Sequence, residues 1–294
     1  MRSMWILGLL FIGLMGASGL NYFPKNFVMA KRNGNATLRC STTSKGSEVS
    51  WEFGGEEVDE EYGDNMVKDG PNLLVKEVDG PALGNYTCWS GGESMSTYLL
   101  LMVEVDKELD SFLTCRAKSY DCTFTCTWND SRYKAVRLGL GPDCRIGRNS
   151  CHWVGSNQQD GRLEFVLHHS LSPYAEESTP LELTAQAIQG HSLLHKTKRF
   201  YLQDIIEPDS PQKVKCQKLA QHLKVTVHPP SSWSTPDSFF PLEHEVEYEY
   251  PDGKIGRGSP FLIPKKIWKL KVRSRDLLVQ SRWSQWSQWI NVTS

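Results

Sequence analysis

The sequence predicts an all-β protein built from three sandwich domains. Its 294 residues exceed what one core usually holds, because a domain takes about 100 to 150 residues. Short runs of alternating apolar and polar residues recur along the chain, separated by Gly and Pro, and no helical period lasts three turns. A hydrophobic fraction of 39% is enough to fill several such cores.

Charge and the first residues restrict the class of protein. The 33 Lys and Arg nearly balance the 34 Asp and Glu, so no overall field attracts nucleic acid or an anionic membrane. Arg2, the apolar residues 5–15 and the small residues that follow predict a signal peptide over residues 1–19. No later apolar run approaches the roughly 20 residues of a membrane span, so we expect a secreted chain.

Residues 20–105 carry the pattern of an immunoglobulin-like sandwich. Cys40 and Cys88 are spaced to bridge two sheets, and Trp51 is placed to pack on that bridge. Tyr86, two residues before the second cysteine, is placed to bond back across a corner, although Ala82 replaces the usual aspartate. The pattern predicts a Cys40–Cys88 disulfide.

Two further sandwiches are predicted over residues 106–207 and 208–294. Cys115 and Cys126 have ten residues between them, which suits a disulfide between adjacent antiparallel strands, with Trp128 on the same face. Residues 200–203 read as a last strand before a stiff linker with two prolines at 204–211. Residues 213–227, 244–250 and 267–275 alternate as strands of the third sandwich.

The end of the sequence carries its most specific motif. Tryptophans recur at every third position with serines between them: Trp283, Ser284, Trp286, Ser287 and Trp289. Four cations alternate just upstream: Lys269, Lys271, Arg273 and Arg275. The spacings place each set on one side of an extended segment, so we expect the cations to stack between the indoles as a Trp/Arg ladder, each contact contributing about 0.5 to 1 kcal/mol. The alternative is a tryptophan core beside a basic, heparin-binding face.

These motifs resemble those of class I cytokine receptors. Residues 283–287 are similar to their tryptophan-serine box, and the Cys115–Cys126 pair followed by Trp128 is similar to their first cysteine hairpin. The leading immunoglobulin domain and residues 175–178, 204–209 and 233–238 narrow the resemblance to the soluble beta subunits of the interleukin-12 and interleukin-23 family. The resemblance covers nearly all of the mature sequence and implies that residues 106–294 form two fibronectin type III sandwiches.

The resemblance also implies partners and site residues. A four-helix-bundle alpha subunit, of the interleukin-12 alpha or interleukin-23 alpha type, is expected at the elbow between the second and third domains. An interleukin-12 receptor beta-1-like chain is expected at the first domain, and a homodimer stays open. The positions that match the family's elbow are Asp276, Glu176, Glu177 and Tyr120. The family has tyrosines after its aspartate, where this chain has Leu, Leu and Val at 277–279.

The remaining cysteines and the sequons predict covalent features. Four cysteines allow three pairings, and the preferred one joins Cys144 to Cys151 and leaves Cys122 or Cys216 for a partner chain. Ser172 stands where the family has its interchain cysteine. Four sequons predict N-glycosylation, at Asn35, Asn85, Asn129 and Asn291.

Two other function classes compete with a cytokine subunit. A soluble class I receptor chain acting as decoy or co-receptor has the same domain order, but residues 233–238 favour the subunit. A matrix or heparin-adhesion protein with a thrombospondin-type repeat would need cysteines after its tryptophans, and none follow residue 216. No G-x-S-x-G, phosphate loop or H-E-x-x-H motif is present, so we expect no enzyme, no cofactor and no metal site.

Overall fold

The computed structural model describes residues 20, 22–41, 48–58, 64–159, 162–261 and 263–292. The predicted signal peptide, residues 1–19, lies outside these described residues. The chain forms two compact units. The first is Met1–Glu104 with Arg132–Ala135 and Ala187–Leu194, and the second is Val105–Ser131, Val136–Gln186 and His195–Ser294.

The first unit contains an immunoglobulin-like sandwich. Its strands are β1 (Phe27–Ala30), β2 (Ala36–Arg39), β3 (Val49–Phe53), β4 (Glu56–Glu57), β5 (Met66–Asp69), β6 (Asn72–Val75), β7 (Gly84–Ser90) and β8 (Glu93–Val103). One layer has the strand order β8-β7-β3-β4, with β1 and residues 192–194 both parallel to β8, and the other layer has the order β2-β6-β5. A 3-10 helix, Gly80–Ala82, precedes β7.

The core of this sandwich follows from alternation along β7. Tyr86 and Cys88 point inward and are fully buried, together with Trp51 of β3. The Tyr86 hydroxyl donates to the Ala82 carbonyl at 2.7 Å, which closes the predicted corner. The other face of the same sheet therefore carries the outward residues of β7.

Two fibronectin type III sandwiches follow, as the sequence predicts. Their strands are β9 (Leu113–Arg116), β10 (Thr123–Trp128), β11 (Ala135–Leu140), β12 (Val154–Gly155), β13 (Asn157–Gln159), β14 (Arg162–His168), β15 (Leu181–Gln189), β16 (Ser192–Phe200), β17 (Lys213–Lys218), β18 (His222–His228), β19 (Leu242–Glu249), β20 (Ile255–Gly258), β21 (Ile263–Pro264), β22 (Lys269–Asp276) and β23 (Ile290–Asn291). The short helices are α1 (Pro142–Arg145) and the 3-10 helices Leu109–Ser111 and Leu202–Ile205.

Each of these sandwiches consists of two layers of paired strands. The earlier one has the orders β13-β14-β10-β9 and β12-β11-β15-β16, and the later one has the orders β17-β18-β21 and β20-β19-β22-β23. The core of the later sandwich is aliphatic: Leu223, Val225, Val246, Ile263, Ile267, Leu270 and Val272. Strand β22 alternates strictly, with Leu270, Val272 and Ser274 inward, so its cations share the outer face.

Two strand predictions are wrong in detail. Residues 213–227 form the hairpin β17–β18 instead of one strand, and the Leu219 N–H donates to the His222 carbonyl at its turn. Residues 201–203 do not continue a strand, because β16 ends at Phe200 and a 3-10 helix follows. The Glu177 carboxylate explains why the 3-10 helix begins here, because it accepts the N–H groups of Leu202 and Gln203 at 2.6 and 3.0 Å.

Candidate functional site

The junction between the last two sandwiches, which we call the elbow, is fixed by Arg116 at the end of β9. Its guanidinium donates to the carbonyls of Glu207 and Pro208 at 2.9 and 2.8 Å, and to the Asp209 carboxylate at 2.8 Å. Burial opposes ionisation of Asp209, but hydrogen bonds from Ser232 and Arg116 outweigh it and lower its pKa. The predicted linker is therefore held by charge-assisted hydrogen bonds as well as by its prolines.

Tyr120 joins the two sides of the elbow. Its ring stacks on Phe240 with centroids 5.3 Å apart and meets the edge of Trp233 at 6.0 Å. The Trp233 indole in turn donates to the Phe240 carbonyl at 2.9 Å. Burial, followed by the nearby Asp276 carboxylate, raises the pKa of Tyr120, so its hydroxyl stays a donor.

Asp276 is buried at the end of β22 and is already bonded within the chain. One carboxylate oxygen accepts the Tyr120 hydroxyl at 3.0 Å. The other accepts the N–H groups of Leu278 and Val279 at 2.7 and 3.1 Å. The carboxylate thus orients the loop 277–280 and ties it to Tyr120, which the sequence did not indicate.

The two predicted glutamates differ in their surroundings. Glu177 caps the 3-10 helix after β16, as described above, and its charge also acts on Tyr120. Glu176 is exposed and has no hydrogen bond or ion pair to any residue that the structure describes. Of the four predicted elbow residues, the structure joins Tyr120 and Asp276 directly and places Glu177 near them.

An exposed apolar surface surrounds this junction, and we call it the elbow patch. Its members are 37 to 69% exposed: Tyr174, Phe239, Leu277, Leu278 and Val279. Tyr174 meets Phe239 edge to face at 5.2 Å, and its hydroxyl donates to the Thr235 carbonyl at 3.2 Å. Aromatic rings are therefore present at the elbow, although they come from other loops than the family pattern suggests. Their signal in the sequence is a set of large apolar residues within polar, proline-containing loops.

The Trp/Arg ladder lies on the outer face of β22. Arg273 stacks between Trp283 and Trp286, 4.8 and 4.6 Å from the ring centres. Lys271 lies over Trp286 and Trp289 in the same way, at 4.9 and 4.8 Å. Arg275 extends the stack beyond Trp283, and Lys269 extends it beyond Trp289.

A row of glutamates on the neighbouring strand β19 neutralises the cations of the ladder. The register of β19 and β22 places the following residues opposite each other: Glu243 and Arg275, Glu245 and Arg273, Glu247 and Lys271, Glu249 and Lys269. Their ion pairs measure from 2.5 to 3.0 Å. Burial opposes ionisation of Glu247, but Lys271 and Arg257 keep its pKa below the ordinary value. All four ladder cations therefore have ion-pair partners within the same sheet.

The serines of the motif complete the edge of β22. The backbone N–H groups of Val272 and Ser274 donate to the hydroxyls of Ser287 and Ser284, both at 3.0 Å. The Ser284 and Ser287 N–H groups return bonds to the carbonyls of Ser274 and Val272 at 2.7 and 2.8 Å. The third-residue repeat thus satisfies backbone groups along the part of β22 that β23 does not reach, which would otherwise lack partners.

The structure contains three disulfides and two free cysteines. The bonded pairs are Cys40–Cys88, Cys115–Cys126 and Cys144–Cys151. Cys122 and Cys216 are free and exposed. Cys122 lies two residues from Tyr120 at the elbow, whereas Cys216 lies on β17.

The four sequon asparagines are all exposed: Asn35, Asn85, Asn129 and Asn291. The side chain of Asn129 donates to the Thr114 hydroxyl at 2.9 Å, and that of Asn35 accepts the Glu77 N–H at 3.2 Å. Within the described ranges, no three His, Cys, Asp or Glu side chains are grouped as metal ligands. The described helices are also too short to cross a membrane.

Comparisons with known proteins agree with this architecture. Residues 110–189 match the family described as cytokine interleukin-12p40 C-terminus, and residues 24–113 match the semaphorin-3/4/7A immunoglobulin-like domain. Interleukin-12 subunit beta of Felis catus is 27% identical over 282 residues, covering 84% of this chain and 83% of the relative. The subunit of Marmota monax is 29% identical over 72% of this chain and 75% of its own length. That of Homo sapiens is 27% identical over 84% of both chains. The chain is therefore a homologue of interleukin-12 subunit beta over most of its length.

Proposed function

We propose that this chain is the secreted, receptor-like beta subunit of a heterodimeric cytokine and has no enzymatic activity. Its domains span residues 20–105, 106–207 and 208–294. The elbow patch binds a four-helix-bundle alpha subunit of the interleukin-12 or interleukin-23 type. The first sandwich engages a cell-surface receptor chain similar to interleukin-12 receptor beta-1.

The elbow patch is the observation that carries this proposal. Exposed aromatic and aliphatic side chains from three loops form a surface suited to the apolar stripe of an amphipathic helix. Leu278 is the most exposed of them and extends from a loop whose backbone Asp276 holds. Aromatic anchors at the centre of an interface carry much of its binding energy, and Tyr174 is such a side chain in this patch.

Asp276 and Tyr120 support binding by positioning this surface. Removing the Asp276 carboxylate would free the Leu278 and Val279 amides and release Tyr120. We therefore expect Asp276→Ala to lower heterodimer yield. Tyr120→Phe removes only the hydrogen bond from the tyrosine hydroxyl and should reduce heterodimer yield less. Comparing the two variants separates the loss of the whole loop arrangement from the loss of this one bond.

A disulfide to the partner, where one forms, uses Cys122. This thiol is exposed and adjoins the elbow, in contrast to Cys216 on β17. Cys122→Ser should abolish a heterodimer band on a non-reducing gel, while Cys216→Ser keeps it. A band that survives Cys122→Ser and disappears with Cys216→Ser would place the bond on the third sandwich.

Co-secretion tests the proposal. The chain is expressed alone and with candidate helical alpha subunits, and complexes are resolved by size-exclusion chromatography. Leu278→Asp should lower heterodimer yield about tenfold or more, because it places a charge in an apolar interface. Ile255→Asp is the matched control, since Ile255 is equally apolar and exposed on β20 outside the patch. Equal losses from both variants, or no complex with any helical subunit, would contradict the proposal.

The relatives favour a subunit over a decoy receptor, because all of those compared are named as an interleukin-12 subunit.

Secretion of the chain alone as a dimer would be detected in the same chromatography by light scattering. Heparin retention should be weak, since the four ladder cations already pair with glutamates.

A further inference from the structure

On the outer face of the strands β8-β7-β3-β4, a tryptophan is exposed near the β7–β8 turn, outside the part of the face where Tyr98 and Leu100 pack against Ile188 and Leu193. Along β7 the inward residues are buried, whereas Asn85, Thr87 and Trp89 point outward. Trp89 is 41% exposed on an inner strand of the sheet. An indole in that position contributes nothing to the core, and tryptophan is the residue most enriched at the energetic centres of protein interfaces.

The neighbours of Trp89 leave its ring accessible. Ser50 of β3 and Ser94 of β8 lie directly opposite it on the two flanking strands. In the next row, the hydroxyls of Thr87 and Ser96 are 3.2 Å apart. Directly opposed residues share a face of the sheet, so the indole stands among short hydroxyl side chains. The face has the form of an interface with one large anchor and a polar surround.

Charge on this face is of one sign. Glu52 of β3 lies directly opposite Glu57 of β4, and like charges in that arrangement are mutually unfavourable. Neither carboxylate forms an ion pair with a residue in the described part of the chain. The strands β3, β4, β7 and β8 contain no Lys, Arg or His. A cationic partner surface would therefore relieve the repulsion as well as gain attraction.

We propose that this face docks a protein whose surface carries Arg or Lys beside an apolar slot that receives the Trp89 indole. The proposal rests on the proposed function in one respect: the occupant is the ectodomain of the receptor chain engaged by the first sandwich. Asn85 shares the face, about 13 Å from Trp89 along the strand at 3.3 Å per residue. A sugar on Asn85 would therefore border the docking surface.

Point substitutions test this surface better than removal of the domain. Ile188 and Leu193 pack with Leu100 inside the first unit, so deletion of residues 21–103 would uncover part of the remaining chain. The full-length chain in its secreted heterodimer is captured, and the purified receptor ectodomain is passed over it in surface plasmon resonance. Trp89→Ala should weaken binding about tenfold or more. Trp268→Ala, at an exposed tryptophan of the third sandwich, is the matched control and should bind as the wild type does.

Glu52→Gln separates a docking role from a structural one. Loss of the opposed charge should leave the melting temperature equal or higher, while the association rate falls several-fold and depends less on salt. A lower melting temperature with unchanged binding would assign Glu52 to stability and overturn the charge argument. Wild-type affinity in Trp89→Ala would overturn the docking surface while leaving the proposed function intact. No receptor binding by the wild-type heterodimer would refute both.

Discussion

Arg273 is held on three sides by the Trp/Arg ladder, which makes it the sharpest test of whether the ladder stabilises the third sandwich. Its guanidinium stacks on Trp283 and Trp286, and its Nε donates to the Glu245 carboxylate at 2.7 Å. The side chain is three-quarters buried. Arg273→Ala removes both ring contacts and leaves Glu245 without its partner.

The expected loss follows from these contacts. Two cation-π contacts contribute about 0.5 to 1 kcal/mol each, and the ion pair with Glu245, whose side chains are both about three-quarters buried, adds about 1 kcal/mol. The free energy of unfolding should therefore fall by about 2 to 3 kcal/mol. In a cooperative unit as large as the second compact unit, each kcal/mol lowers Tm by about 2 to 4 °C, so we expect a fall in Tm of roughly 4 to 12 °C. Arg273→Lys keeps the charge but not the flat guanidinium and should lose about half as much.

Differential scanning calorimetry of the secreted full chain measures this change. Lys215→Ala is the control, because Lys215 is exposed on β17 and its side chain makes no hydrogen bond or ion pair with residues the structure describes. It should shift Tm by no more than about 2 °C. If Arg273→Ala behaves like Lys215→Ala and instead impairs receptor activation, the ladder acts at a contact surface and its stabilising role is refuted.

Three further substitutions test the packing of the third sandwich. Ser284→Ala leaves a buried N–H of β22 without an acceptor and should lower the free energy of unfolding by about 1 to 3 kcal/mol in urea titrations. Gly256→Ala should also destabilise, because a Cβ there would lie 2.4 Å from the Tyr248 ring, whereas Gly155→Ala meets nothing within 4 Å. Burial lowers the pKa of His244, so the unfolded chain binds protons more readily below about pH 6.5. Thermal stability should therefore fall as the pH decreases below that value, and His244→Gln should reduce the fall.

Local patterns in the sequence predict the ladder, whereas strand pairing decides what the ladder contacts. A period of two places Lys271 and Arg273 on one face, and a period of three places the tryptophans beside them. The glutamates at every second position from 243 to 249 are equally regular in the sequence. Their role depends on the register of β19 against β22, which alternation alone does not specify.

The elbow was predicted only in part, for a related reason. Tyr120 and Asp276 match a family pattern, and the structure joins them across 156 residues of sequence. Tyr174 and Phe239 come from separate loops and meet only after the two sandwiches have folded. No local period links such residues, so sequence reasoning detects them only as apolar side chains in polar loops. The 3-10 helix after β16 likewise depends on the distant Glu177 carboxylate.

The claim that the elbow patch holds a helical subunit is tested most directly by hydroxyl-radical footprinting, in which mass spectrometry measures the oxidation rate of each exposed side chain. The chain alone is compared with its co-secreted complex with a helical alpha subunit. Oxidation of Tyr174, Phe239 and Leu278 should slow severalfold in the complex, while that of Phe261 and Trp268, which are exposed elsewhere on the third sandwich, stays unchanged. Unchanged oxidation of the patch, with protection at Phe261 or Trp268 instead, would place the partner on another surface and contradict the claim.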